Sequence, residues 1–181
     1  TGPALRLYDL TACDRFGLKG RGSADWLARQ GLTIPERVNT WRPSPAQALD
    51  VLRLGRDDLV VLSRPDATSG APEALRTAWR ADAASPRGHD AWRDEVWAWF
   101  HLCGDGLADL MAMTCPVDLR PDVFATGDIV QSRVAQLDCV VARSDRAGTP
   151  GFDLFFDIAS SAFVLASLKE LGLSLAPEIT R

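Results

Sequence analysis

The feature that most constrains this chain is a stretch that occurs twice. Phe16 to Leu27 read FGLKGRGSADWL, and Phe100 to Met111 read FHLCGDGLADLM. Laid over each other without a gap, the copies share Phe16/Phe100, Leu18/Leu102, Gly20/Gly104, Gly22/Gly106, Ala24/Ala108 and Asp25/Asp109. Each copy begins with alternating residues, breaks at two glycines and continues with helical spacing. Asp25 and Asp109 fall in the first helical turn, where a carboxylate meets the positive end of the helix dipole. An internal repeat defines architecture before any motif does. The expected fold is therefore α+β: two similar β-α-β-β halves, roughly 4–63 and 94–172, joined by an insert at 64–93. Arg15–Lys19 and Glu95–Cys103 are expected to be equivalent strands of one sheet, within a single domain spanning 1–181.

Further elements follow from local signals. Residues 4–12 read as an opening strand. Ser23–Gln30 reads as a short helix with Trp26 and Leu27 facing inward and Gly31 ending it. Thr33–Pro45 holds three prolines and is expected to be irregular. Asp50–Leu54 and Leu59–Ser63 flank a polar turn and form a hairpin. Within the insert, Pro72–Ala81 reads as a helix, while Arg64–Pro72 and Ala83–Gly88 read as loops, the most flexible part of the chain. Glu95–Cys103 is apolar on both faces, as in a strand covered on both sides. Leu107–Met113 is a helix that stops at Cys115-Pro116. Three strands (129–136, 137–144, 151–158) and a last helix, Ser160–Leu171, complete the order. The final nine residues are expected to be a tail suited to wrapping a neighbour.

Composition excludes several function classes. A net charge of -4 and the lack of a basic stripe argue against a nucleic-acid partner. No apolar run is long enough for a bilayer, so no membrane span is expected. The four cysteines form no CxxC pair and no zinc-like spacing with the two histidines. They are expected to be reduced thiols in a cytoplasmic protein.

The motifs with chemical potential are weighed against structural readings. Gly20-x-Gly22 and Gly104-x-Gly106 follow a strand and open a helix, as a dinucleotide loop does. An aspartate stands where the third glycine belongs, and it would repel a pyrophosphate. His101 has no nucleophile or orienting partner close in sequence and is expected to be packed or hydrogen-bonded. Cys103 precedes Gly-Asp, which works against a lowered thiol pKa, so a core thiol is expected. Asp57-Asp58 is read as a solvated hairpin turn rather than a cation or pterin site. Four of the six tryptophans lie between Trp79 and Trp99. Either they form a partner interface, centred on Trp79 or Trp92 and rimmed by Arg76, Arg80 and Arg93, or they pack beneath the insert helix. No catalytic, cofactor-binding or metal-ligating residue is assigned.

Four stretches carry a family resemblance: Arg15–Gly20 with Ala24 and Leu27 downstream, Pro35–Asn39, the Leu54–Leu62 hairpin, and Gly106–Leu119 ending Cys115-Pro116-Val117-Asp118-Leu119. The Phe152-Asp153-Leu154 strand and the closing helix agree. With them the chain resembles the gamma subunit of heterotetrameric sarcosine oxidases, and related subunits of other N-methyl amino-acid dehydrogenases such as N-methylglutamate dehydrogenase. The resemblance implies a fold akin to the folate-binding aminomethyltransferase (T-protein) domain. It further implies larger flavin-bearing alpha and beta subunits and a small delta subunit, with FAD, FMN, NAD and tetrahydrofolate held by those partners and none by this chain. The implied role is non-catalytic. The competing readings are a stand-alone folate-binding or aminomethyltransferase-like protein and a plain interaction module.

Overall fold

A computed structural model describes residues 4–65, 70–83, 87–146 and 148–176. The elements run β1 (Arg6–Asp9), β2 (Arg15–Gly20), α1 (Ser23–Arg29), β3 (Thr40–Ser44), β4 (Leu49–Gly55), β5 (Asp58–Ser63), α2 (Ala71–Ala81), β6 (Gly88–Asp90) and α3 (Arg93–Val96). They continue as β7 (Trp97–Cys103), α4 (Leu107–Thr114), β8 (Ile129–Val134), β9 (Leu137–Arg143), β10 (Gly151–Asp157), α5 (Ser161–Glu170) and β11 (Ser174–Leu175). The chain divides into two compact units: Ala12–Glu95, and Thr1–Thr11 together with Val96–Arg181.

The strand arrangement corrects one expectation. β2 and β7 are equivalent strands of two sheets, not of one. The first unit's sheet has the order β3-β4-β5-β2-β6, and the second unit's has β11-β1-β7-β10-β9-β8. Sliding β2 onto β7 carries α1, β3, β4, β5 and α2 onto α4, β8, β9, β10 and α5. Register agrees to the residue: Phe16 faces Val61 and Leu18 faces Leu59, while Phe100 faces Leu154 and Leu102 faces Phe152. The antiparallel edge partners correspond too, Leu18 opposite Asp90 of β6 and Leu102 opposite Leu7 of β1. Each edge strand precedes one repeat in sequence and pairs with the other.

Backbone conformation explains why both copies keep their glycines. Gly20 and Gly104 have φ of 119° and 117°, and Gly22 and Gly106 have 84° and 82°. This is left-handed backbone, which a Cβ disfavours. A Cβ on Gly20 would also meet the carbonyl oxygen of Arg87 and Cα of Gly88 at 2.7 Å, where the chain enters β6. A Cβ on Gly104 would overlap the carbonyl of Ala4, where the chain enters β1. The glycine thus does two things: it turns the strand into the helix and admits the edge strand beside it. Asp25 and Asp109 do sit in the first turns of α1 and α4.

Each unit has its own core on the helix side of its sheet. Phe16 and Leu18 of β2 pack with Trp26 and Leu27 of α1 and Trp79 of α2. Phe100 and Leu102 of β7 pack with Leu107, Leu110 and Met111 of α4 and with Val164 and Leu168 of α5. Fully burying one such side chain contributes roughly 1.5–3 kcal/mol. Among the described residues no helix is long and apolar enough to cross a membrane.

Four local expectations differ from the structure. β3 lies inside the proline-rich stretch expected to be irregular; Pro43 is tolerated because β3 is an edge strand. Gly88–Asp90, at the end of an expected loop, pairs with β2. The strand expected from Glu95 starts at Trp97, after the single turn α3. In the expected tail, Ser174 and Leu175 pair in parallel with Arg6 and Leu7; 177–181 lie outside the described residues. Parts of the two expected insert loops, 66–69 and 84–86, also lie outside them.

The two glycines of one turn should respond differently to alanine. Gly104→Ala meets both an unfavourable φ and backbone atoms, whereas nothing lies within 4 Å of a Cβ on Gly106. We expect Gly106→Ala to cost about 1–2 kcal/mol, the left-handed penalty alone. Gly104→Ala should cost clearly more, with denaturant unfolding as the measurement.

Candidate functional site

Strand alternation gives each repeat a second sheet face, opposite its helices. There the copies diverge. Arg15, Gly17 and Lys19 of β2 correspond to Trp99, His101 and Cys103 of β7. Gly17 faces Val60 across the sheet, whereas His101 faces Asp153. The helix-side positions serve packing in both units, and the opposite face of the second unit carries a charged centre.

That centre is built on Asp153, which is 1% exposed. Its Oδ1 accepts hydrogen bonds from Trp99 Nε1 and from His101 Nδ1, both at 3.0 Å. Its Oδ2 accepts from Arg146 Nε at 2.7 Å. The Arg146 guanidinium also lies 5.1 Å from the Trp99 ring centroid, and Trp99 stacks on Phe155. Burial alone would raise the Asp153 pKa; the Arg146 charge and the His101 bond outweigh it and hold the carboxyl well below the usual range. Because an ionised carboxylate only accepts, Nδ1 of His101 carries a proton. Burial would lower the His101 pKa, but the bond to Asp153 prevails and raises it.

The expectation of a packed, hydrogen-bonded His101 agrees with this geometry. The expected core thiol at Cys103 is buried, 4% exposed, but the expectation that Gly-Asp works against a lowered thiol pKa does not agree. Residues two apart on a strand share a face, so His101 and Cys103 stand side by side. Burial pushes the Cys103 thiol up, yet His101 and Thr149 bring its pKa below the ordinary value. Cys139, buried without such a neighbour, is pushed up. Asp153 was missed as a candidate site residue. The available signal was a lone charge inside the apolar strand GFDLFF.

In the first unit, Arg76 is the organising cation. It is 6% exposed. Nε donates to Asp90 Oδ2 at 2.7 Å, Nη1 to Glu73 Oε2 at 2.6 Å and Nη2 to Asp94 Oδ1 at 2.7 Å. Burial would lower its pKa, and the bonds to Asp94 and Glu73 reverse that and raise it. Arg76 therefore clamps α2 to β6 and α3 and is not a surface rim, which corrects the expectation for this residue. Trp79 is likewise no surface anchor: it is 7% exposed and meets Trp26 edge-on at 5.2 Å between centroids. Arg93 pairs with Asp58 at 3.3 Å. Trp92 remains at the surface, 44% exposed, with the Arg80 and Arg76 guanidinium groups 5.3 and 5.8 Å from its ring centroid. The Asp57-Asp58 turn is engaged rather than merely solvated: Gly22 N–H donates to Asp57, and Lys19 pairs with Asp58 at 3.2 Å.

A cleft of about 820 Å³ opens in the second unit, lined among others by Trp97, Val140 and Phe155, with Gln131, Arg133 and Asp138. Asp138 there is 93% exposed at its side chain. The two carboxylates that line the cleft, Asp138 and Asp157, are both exposed. Among the described residues, three carboxylates with buried side chains lie elsewhere, each bonded to an arginine: Asp50 to Arg64, Asp90 to Arg76, Asp153 to Arg146. Among the described residues no cluster of three or more His, Cys, Asp or Glu is placed to hold a metal ion.

Two outcomes follow. The folded-state pKa of His101 is raised above its ordinary 6.5, so its stabilising contribution is complete below that pH and lost as pH rises through the folded value. The melting temperature of the wild type should therefore fall on alkalinisation relative to His101→Gln, whose profile should be flatter. Separately, Arg76→Met leaves three carboxylates facing one another and should cost about 3–5 kcal/mol. Arg80→Ala, at an exposed pair, should cost less than about 1 kcal/mol in the same denaturation experiment.

No family model and no curated protein matches the chain. Solved structures do. A chain of the heterotetrameric sarcosine oxidase from Corynebacterium sp. U-96, in complex with pyrrole 2-carboxylate, is 18% identical, with a TM-score of 0.71 over 90% of this chain and 80% of that one. The glycine cleavage system aminomethyltransferase T from Bartonella henselae is 15% identical, with a TM-score of 0.68 over 96% of this chain and 48% of that one. The chain thus spans about half the length of the aminomethyltransferase. Its α+β fold is the one shared by that enzyme and by a chain of the sarcosine oxidase heterotetramer.

Proposed function

We propose that this chain is a non-catalytic gamma-type subunit of a sarcosine oxidase-like complex, serving assembly and stability. The observation that carries the reading is the fold likeness to a chain of a heterotetrameric sarcosine oxidase over 90% of the residues. Under this reading the complex oxidatively demethylates sarcosine or another N-methyl amino acid and passes the one-carbon unit to folate. Larger alpha and beta subunits and a small delta subunit supply FAD, FMN, NAD and tetrahydrofolate sites. The alternative, a stand-alone folate-binding or aminomethyltransferase-like protein, draws on the likeness to aminomethyltransferase T. It is disfavoured by the engagement of each buried carboxylate with an arginine.

Trp92 is the side chain we assign to the partner surface. It is large, half-exposed and held at φ 50°, a conformation unfavourable for a bulky residue. Such strain persists only where surrounding groups over-determine it. Here Asp90 Oδ1 accepts from the Trp92 N–H at 2.9 Å, and the arginines flank the ring. Tryptophan beside arginine is the composition of an interface hot spot.

Co-expression of the chain with flavin-bearing subunits of this class tests the reading. A stable complex with N-methyl amino-acid oxidation should form, and Trp92→Ala should weaken assembly by about 2 kcal/mol or more. The isolated Trp92→Ala chain should keep its melting temperature. Methyl transfer from a folate substrate by the lone chain would instead establish the alternative.

A further inference from the structure

A second property resides at the buried end of β7, independent of the proposed subunit role. Cys103 is opposite Gly151 in the sheet, as His101 is opposite Asp153. The imidazole holds Asp153 by Nδ1, and its far edge lies over Gly151. A Cβ there would stand 2.7 Å from Cε1 and 2.9 Å from Nε2. The ring is thereby directed from Asp153 toward the register position of the Cys103 thiol, a path that only glycine at 151 leaves open.

The groups around this point are incompletely bonded. His101 Nε2, Ser144 Oγ and Thr149 Oγ1 are buried and have no hydrogen-bond partner of ordinary geometry. His101 and Ser144 are both 0% exposed. Unpaired buried polar atoms are uncommon and costly in native proteins. Thr149 and His101 both act on the Cys103 thiol. Two of these groups thus bear on a thiol that is 4% exposed. The other titratable groups facing it are Arg6 and Tyr8 of β1, paired opposite Cys103 and His101, with Arg146, Asp145 and Asp153 on the neighbouring loop and β10.

We propose that Cys103 is a redox-active thiol that reacts with small hydroperoxides, with His101 as its proton partner and Asp153 as the positioning residue. Sulfur is the soft nucleophile, and burial admits only the smallest electrophiles. The buried Nε2 and the Thr149 hydroxyl, neither with an ordinary hydrogen-bond partner, are suited to hold two adjoining oxygens. In the reaction the thiol proton passes to Nε2, and Sγ attacks the terminal oxygen of HO–OR. An S–O bond forms, the O–O bond breaks, and the leaving RO⁻ takes the proton from Nε2 as ROH. Sulfur is oxidised by two electrons to the sulfenic acid and the hydroperoxide is reduced by the same two.

The test exposes the full-length chain to hydrogen peroxide. It is then quenched, unfolded and alkylated, and each of its four cysteines is followed by peptide mass mapping. Cys103 should lose its free thiol roughly tenfold or more faster than Cys115 and Cys139 near neutral pH. Its wild-type rate should reach a plateau below the ordinary thiol range of about 8.5. His101→Gln should move the profile into that range, and Asp153→Asn should move it part of the way. Oxidation of Cys103 no faster than Cys139, or a wild-type rate that climbs through about pH 8.5 like a free thiol, overturns the proposal. Both decisive readouts come from the wild-type chain, so the proposal stands or falls even where a variant fails to fold.

Discussion

The paired glycines between strand and first helix govern both halves of this molecule. At Gly20 and Gly104 the φ angles nearly coincide, at 119° and 117°. Each glycine also lies against the backbone that leads into an edge strand, β6 for the first and β1 for the second. A side chain at either position would twist the turn and displace that edge strand together. Each edge strand precedes one repeat in sequence and pairs with the other. The second unit is discontinuous in sequence, with β1 joining β7 across roughly ninety intervening residues, a closure entropically modest for its length.

With the helix side of each sheet committed to packing, specialisation was confined to the opposite face. The first unit placed Arg15 there, buried and donating to the carbonyl oxygens of Cys13, Arg93 and Asp94. Nearby, Arg76 draws three carboxylates from three separate segments into one cluster. The second unit placed an imidazole, a thiol and a carboxylate at the corresponding register. Both solutions bury charge, and both answer it with opposite charge and hydrogen bonds, the condition under which buried ions are tolerated. The chemistry differs. An arginine cluster fixes segments in place, whereas a carboxylate–imidazole–thiol array has a titratable, nucleophilic member.

The surface that remains for a partner is smaller than tryptophan density alone implies. Of the clustered tryptophans, Trp79 and Trp99 are buried in their own units, and Trp92 is the one with substantial exposure. Its arginine neighbours serve two purposes. Arg76 faces inward to its carboxylates and still flanks the ring, while Arg80 flanks it from the solvent side.

The repeat was legible in the sequence because its causes are local. Phe and Leu at alternating positions, glycines where φ is positive, and aspartate in the first turn are each read within a dozen residues. The helices, the β4–β5 hairpin and the three strands β8 to β10 follow from equally short-range signals. What the sequence left undecided was every question whose answer lies across the sheet. Pro43 argued against a strand until its place at an edge removed the objection. Gly88–Asp90 carried too few residues to announce β6. His101 showed no partner nearby in the chain because Asp153, 52 residues away, reaches it only through the register of β10 on β7. Trp79 and Trp92 look alike in composition, and only packing against Trp26 separates the core residue from the exposed one. Periodicity determines which face a side chain takes; long-range pairing alone decides what that face meets.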